Sequence, residues 1–248
     1  MDAKEIDKKL KEYLELIYYK GVVLALYDVS DVQPFEPLVY PPLKVNTCIF
    51  AFYKSWKDCK TLVLTKERSG CGGAGRYLCG GKLARERQEF IDFLYKGEGL
   101  RASEELIVKM IDNTKTYKPK GEFILLGPFR AEHIDKMVSV TLFVDPDRLA
   151  PLIHSAFYHS ESPSDDVVVA PMGSGCSLLY PFINFKNPEK PRSAIGATDM
   201  AMRRFLPSNT LTFTMNMPMF YQVIEIDDNH FLRKHFWQTV VKKRRWRR

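Results

Sequence analysis

From Ile6 through Tyr19 the apolar side chains Ile6, Leu10, Tyr13, Leu14, Ile17 and Tyr18 recur at intervals of three and four, the spacing of one helix face, and Gly21 marks the end. The pattern then changes. Val22 to Tyr27 is a short apolar run of strand length, and Pro34, Pro37, Pro41 and Pro42 require an extended surface connection. Asn46 or Thr47 is placed to cap a helix carrying Cys48, Phe52 and Trp56, and Thr61 to Thr65 reads as strand. Arg68 to Gly81 is glycine-rich. Helices are predicted over Arg85 to Tyr95 and Glu104 to Ile111, the second capped by Ser103.

In the second half, Glu122 to Leu126 and Val138 to Val144 are strand-like, with a polar segment around His133 between them. Asp145 followed by Pro146 is a helix cap with proline at the first helical position, so a helix should reach about Tyr158. Val167 to Ala170, Ser193 to Ala197 and Leu211 to Met217 are further strands. Gly173 to Gly175 makes a tight turn toward a short helix, and a final helix starts at Asp227 or Asp228. Strands and helices mix without strict alternation. The fold expected is α+β, a mixed sheet with flanking helices in a single globular domain over residues 1–248. Within it, lobes 1–120 and 121–241 would each carry a strand-turn-helix Ser-Gly-Cys element, and 242–248 forms a basic tail.

Composition narrows the class. With 45% hydrophobic and 12% aromatic residues the chain is not disordered, and no uninterrupted apolar run has the length of a membrane span. The first residues lack the apolar stretch and cleavage site of a secretory signal, which leads to the expectation of a cytoplasmic protein. Six of the seven net positive charges lie in KKRRWRR, residues 242–248, so the remainder is nearly neutral. That segment reads as a solvated helix end or as an anchor to an anionic surface, and nucleic acid is expected to bind through it or not at all.

Five cysteines, Cys48, Cys59, Cys71, Cys79 and Cys176, are an odd number in a chain large enough to fold without staples, so free thiols or metal ligands are expected rather than a disulfide framework. Two of them repeat a context. Leu62 to Leu64 leads to Ser69-Gly70-Cys71, and Val167 to Val169 leads to Ser174-Gly175-Cys176. Strand, glycine turn and helix in that order place a cysteine at the positive end of a helix dipole, where a thiolate is favoured. Gly70, Gly72, Gly73 and Gly75 clear side chains from around Cys71. Ser69, Arg76, Ser174 and Gly175 complete a candidate site for a small-molecule or anionic ligand. The bland reading is a pair of ordinary turns with cysteines serving as small buried hydrophobes.

Other constellations are weaker. His133, His154, His159, His230 and His235 show no metal-ligand spacing, and no nucleophile elbow or Walker loop occurs. Asp199 with Arg192, Arg203 and Arg204 could line an anion site, though a capped helix with solvated arginines explains the same residues.

The run from Arg68 to Gly80, RSGCGGAGRYLCG, resembles the Cys-x-Gly-Ala-x-x-x-Leu-Gly signature of domain of unknown function 169, the uncharacterised ArCR family, and the resemblance extends over most of the chain. Gly72 departs from the commoner second residue of that signature, and Cys59 and Cys79 match nothing in it. The resemblance implies that Cys48, Cys71 and Cys176 act together. Three thiols with an open fourth position suit an iron–sulfur cluster or a zinc or iron ion. Two readings of function stand: thiolate-based redox or metal-dependent chemistry at Cys71 and Cys176, or a non-catalytic module holding a small anion at glycine-rich helix N-termini.

Overall fold

A computed structural model of the chain describes residues 1–43, 47–80, 86–161, 166–169, 178–179 and 188–245. Helix α1, Ala3–Leu16, starts where the Asp2 carboxylate accepts the Glu5 N–H at 2.8 Å. It buries Ile6, Leu10 and Tyr13 and stops before the expected Tyr19, because Tyr18 turns to φ 56. The strands are β1 Val23–Val29, β2 Leu38–Val39, β3 Thr61–Leu64, β4 Phe123–Pro128, β5 Met137–Val144, β6 Val167–Val169, β7 Ser193–Gly196 and β8 Leu211–Asn216. They form one mixed sheet in the order β2-β3-β4-β1-β5-β8-β7-β6.

That order reads identically outward from the β1–β5 seam. Ala25 faces Val140 there, and rotation about this pair sends β1, β2, β3 and β4 onto β5, β6, β7 and β8. The outer pairs β2–β3 and β6–β7 are both parallel, and the inner pairs are antiparallel. The two related halves expected from the sequence are thus a four-strand unit repeated in pairing and register, with β4 belonging to the first. The Ser-Gly-Cys match is not the correspondence. Cys71 follows β3, whereas Cys176 follows β6 and so holds the chain position of Cys48, which follows β2. The segment after β7, counterpart of the one leading to Cys71, carries Asp199.

Period-two alternation splits the sheet between two cores. Leu24 and Leu26 face the first, with α2 (Tyr53–Lys57), α3 (Gly72–Leu78), α4 (Arg87–Asp92), α5 (Glu104–Asn113), the 3-10 turn Ile49–Phe52, and Leu178, Leu179 and Met202. Ala25, Tyr27 and Val29 face the second, with α1, α6 (Pro146–Phe157) and α7 (Met217–Val223). Described residues from the connections after β2, β3, β6 and β7 therefore meet on one face.

The halves differ in chemistry on that face. Where the first presents Leu24, Leu26, Leu62, Leu64, Ile124 and Leu126, the register places Ser139, Thr141, Ala194, Gly196, Thr212 and Thr214 in the second. All are buried. Ser139 donates to the Leu178 carbonyl at 2.9 Å, Thr141 and Thr214 bond each other at 2.9 Å, and the Thr212 hydroxyl has no partner among the described residues.

Several elements depart from the expected boundaries. Strand β2 lies inside the proline-rich stretch. Cys48 caps the 3-10 turn rather than riding within a helix. The helix expected from Asp227 or Asp228 begins at His235 as α8, His235–Arg245. Asp227 instead closes a turn by accepting the Asn229 N–H at 2.8 Å, and His230 caps the 3-10 turn Phe231–Arg233. Helix α6 is capped by Asp145 as expected, and Ser103 caps α5. Among the described residues no helix is long and apolar enough to cross a membrane.

Candidate thiol site at the start of α3

Chain reversal after β3 is held by the Thr65 N–H on the Arg68 carbonyl and by Thr65 Oγ1, which accepts the Arg68 N–H at 3.0 Å. Ser69, also buried, donates from Oγ to the Cys71 carbonyl at 3.3 Å. Gly70 has φ +78, a conformation that favours glycine, and a Cβ there would make a tight 3.3 Å contact with the Thr47 carbonyl oxygen. The Thr47 N–H donates to the Gly70 carbonyl at 2.8 Å. That bond joins the Cys48 segment to the Cys71 turn, two segments far apart in sequence.

Cys71 is the N-cap of α3, as the sequence predicts, and its Sγ accepts the Ala74 N–H at 3.4 Å. Gly72 is packed on Phe90, while Gly73 and Gly75 continue the helix. Arg76 does not reach back to the turn: its guanidinium donates to the Ile111 carbonyl at 3.5 Å and lies over Tyr77. Ser174, Gly175 and Cys176 lie outside the described residues, as does Asn46.

The electrostatics reverse one expectation. Burial pushes the Cys71 thiol above its ordinary value; the N–H groups of Ala74 and Gly73 oppose that rise, and Glu98 and Asp199 add to it. Helix α3 is only seven residues long, and its dipole does not overcome desolvation and two carboxylates. The balance of these influences raises the Cys71 thiol, with burial the largest. Glu98, which follows the π-helical turn Phe93–Gly97, is itself raised to about 7 by burial and then by Asp199. Asp199 is placed by a left-handed Ala197, φ 63, and by Arg203, whose guanidinium donates to the carbonyls of Ala197 at 3.3 Å, Ser208 at 2.6 Å and Thr210.

Three acidic groups from separate connections thus share one electrostatic environment: Cys71 after β3, Glu98 after α4, and Asp199 after β7. The sequence brought Asp199 to notice only as part of an anion site with Arg192, Arg203 and Arg204. Those arginines are otherwise engaged. Arg192 pairs with Asp166 at 2.5 Å, Arg203 holds the loop, and Arg204 lies over Phe205. Glu98, flanked by Gly97 and Gly99, carried no sequence signal. A cleft of about 360 Å³, lined by Tyr40, Thr65, Glu67 and Arg68, opens along the loop that enters the turn.

The family model of domain of unknown function 169, uncharacterised ArCR, matches residues 9–226, well over half of the chain. The chain belongs to the ArCR family. Nothing matches it among curated proteins or among solved structures. The ArCR span takes in every strand, the Cys71 turn, Glu98 and Asp199, and leaves out α8.

The metal set that the ArCR resemblance implies does not form from the described residues alone. Cys48 and Cys71 lie on bonded segments, but their third partner, Cys176, is outside the description. Among the described residues no group of three or more His, Cys, Asp or Glu side chains is arranged to hold a metal. The Cys71 sulfur accepts the Ala74 N–H, a contact that favours its thiolate form. Cys79, the C-cap of α3, is buried and pushed up to about 12, by burial first. It stands ~12 Å along the helix from Cys71, outside disulfide reach. Elsewhere His154, His159 and His230 gather with Tyr158 and Phe231, although their spacing gave no sign of it. Burial holds His230 below the ordinary histidine value, and His159 and His154 add to that.

Proposed function

We propose that this ArCR protein performs thiol chemistry on a small molecule at Cys71, with Glu98 as proton acceptor. The feature that carries the reading is a half-buried carboxyl raised to about 7 within electrostatic reach of a half-buried thiol. A base of that strength is half ionised near neutral pH, where it can both take and return a proton. The Cys71 S–H gives its proton to the Glu98 carboxylate while the N–H groups of Gly73 and Ala74 stabilise the negative charge developing on sulfur; the thiolate then adds to an electrophilic carbon, whose π-bond electrons move to its heteroatom, and that atom takes the proton back from Glu98. Asp199 adds to the rise that burial produces in both neighbours. The polar strip Ser139, Thr141, Thr212 and Thr214 supports the same reading, since buried hydroxyls replace aliphatic side chains on the half that contributes Asp199.

Simple anion binding at the turn is the weaker reading. The first N–H groups of α3 are already occupied by Cys71, and two carboxylates lie close by. The test is carbon-13 NMR titration of the Glu98 carboxyl before and after carbamidomethylation of Cys71. Titration near 7 that shifts on modification supports the proposal. An ordinary value of 4 to 5, indifferent to the modification, overturns it.

A further inference from the structure

Helix α8 lies outside the span of the family match and carries a surface unlike the rest of the protein. Its inner side is docked: Val241 is buried, the Trp237 indole N–H donates to the Leu16 carbonyl at 2.8 Å, and Arg244 pairs with Asp147 at 2.8 Å. Its outer side is not. Phe236 is 88% exposed, and Val240, one turn further on, is 38% exposed. Lys242 and Lys243 are exposed in the next turn, and the sequence continues Arg244-Arg245-Trp246-Arg247-Arg248.

A helix that shows an aromatic and an aliphatic side chain in register with a block of cations has the composition of an interfacial anchor. Phosphate contacts alone would account for the cations. They would not account for a phenylalanine left in water. We infer that α8 docks this protein on an anionic lipid bilayer, Phe236 and Val240 entering the headgroup boundary while Lys242 and Lys243 pair with lipid phosphates.

The probe is a set of extruded vesicles, pure phosphatidylcholine against an equimolar mixture with phosphatidylglycerol, in a flotation assay with the full chain. Binding should require the anionic lipid and be lost as salt rises. Phe236→Ala should weaken it about tenfold, and Lys242→Glu with Lys243→Glu should abolish it. Phe236 is almost wholly exposed, so its substitution leaves the fold intact, which circular dichroism checks. The inference is overturned if no vesicle is bound. It is equally overturned if pure phosphatidylcholine binds as well as the mixture, or if Phe236→Ala binds like the parent. Salt-sensitive retention on duplex DNA that is indifferent to Phe236, with no flotation, would assign the surface to nucleic acid instead.

Discussion

Replacing Glu98 by Gln removes the one carboxyl held near neutrality and should flatten the pH dependence of stability. The group moves from an ordinary 4.5 to about 7 on folding, by burial and then by Asp199. Between those values the folded protein keeps a proton that the unfolded chain has lost. The contribution is therefore fully present below 4.5 and disappears as pH rises through 7. At full burial the difference would amount to roughly 3 kcal/mol. Solvent around a half-buried carboxyl screens it, and about 1 kcal/mol is the expected effect. Urea denaturation of parent and Glu98→Gln at pH 5 and pH 8 measures it. The parent should lose about 1 kcal/mol more than the variant between the two conditions, and other titrating groups, His230 among them, cancel in the comparison. Equal pH dependence of the two proteins would show that Glu98 ionises freely and is not enclosed with Asp199.

Competitive alkylation of the folded protein at pH 7 should modify exposed Cys59 first, Cys71 more slowly and Cys79 only after unfolding, as peptide mapping will show; Cys79 labelling in the native state would contradict the packing of α3. Thr212→Val should stabilise the protein by about 1 kcal/mol, because it removes a buried hydroxyl without a partner among the described residues. A lower urea midpoint would mean that the hydroxyl is satisfied after all. Gly121→Ala should destabilise by about 3 kcal/mol or more, since its Cβ would fall 2.2 Å from the Val29 carbonyl oxygen. Unchanged thermal unfolding would contradict that close approach.

Much of the fold was legible because it is written in local chemistry. Asp145-Pro146 and Ser103 announce helix starts through side chains that reach their own backbone, and β4, β5, β7 and β8 appear as apolar runs of strand length. The shortfalls have physical causes. β2 is two residues held by parallel pairing to β3, which no local pattern encodes. The helix expected from Asp227 was displaced by side-chain hydrogen bonds that favour turns. At the site, the Ser-Gly-Cys turn led correctly to an N-cap, but the charge on its sulfur is decided by tertiary burial and by Glu98 and Asp199, which only the folded sheet brings near. The repeated tripeptide equates Cys71 with Cys176, which lies outside the described residues. Sheet register pairs Cys71 with the Asp199 segment, and a three-residue match carries less information than the register of four strand pairs.

The most direct test of the shared Cys71, Glu98 and Asp199 environment is the rate of Cys71 carbamidomethylation, resolved by peptide mapping, against pH in the parent, Glu98→Gln and Asp199→Asn. Each carboxylate raises the thiol, so removing either should move the Cys71 rate profile to lower pH, and Asp199→Asn should also lower the Glu98 inflection from about 7. Three superimposable profiles would contradict the account.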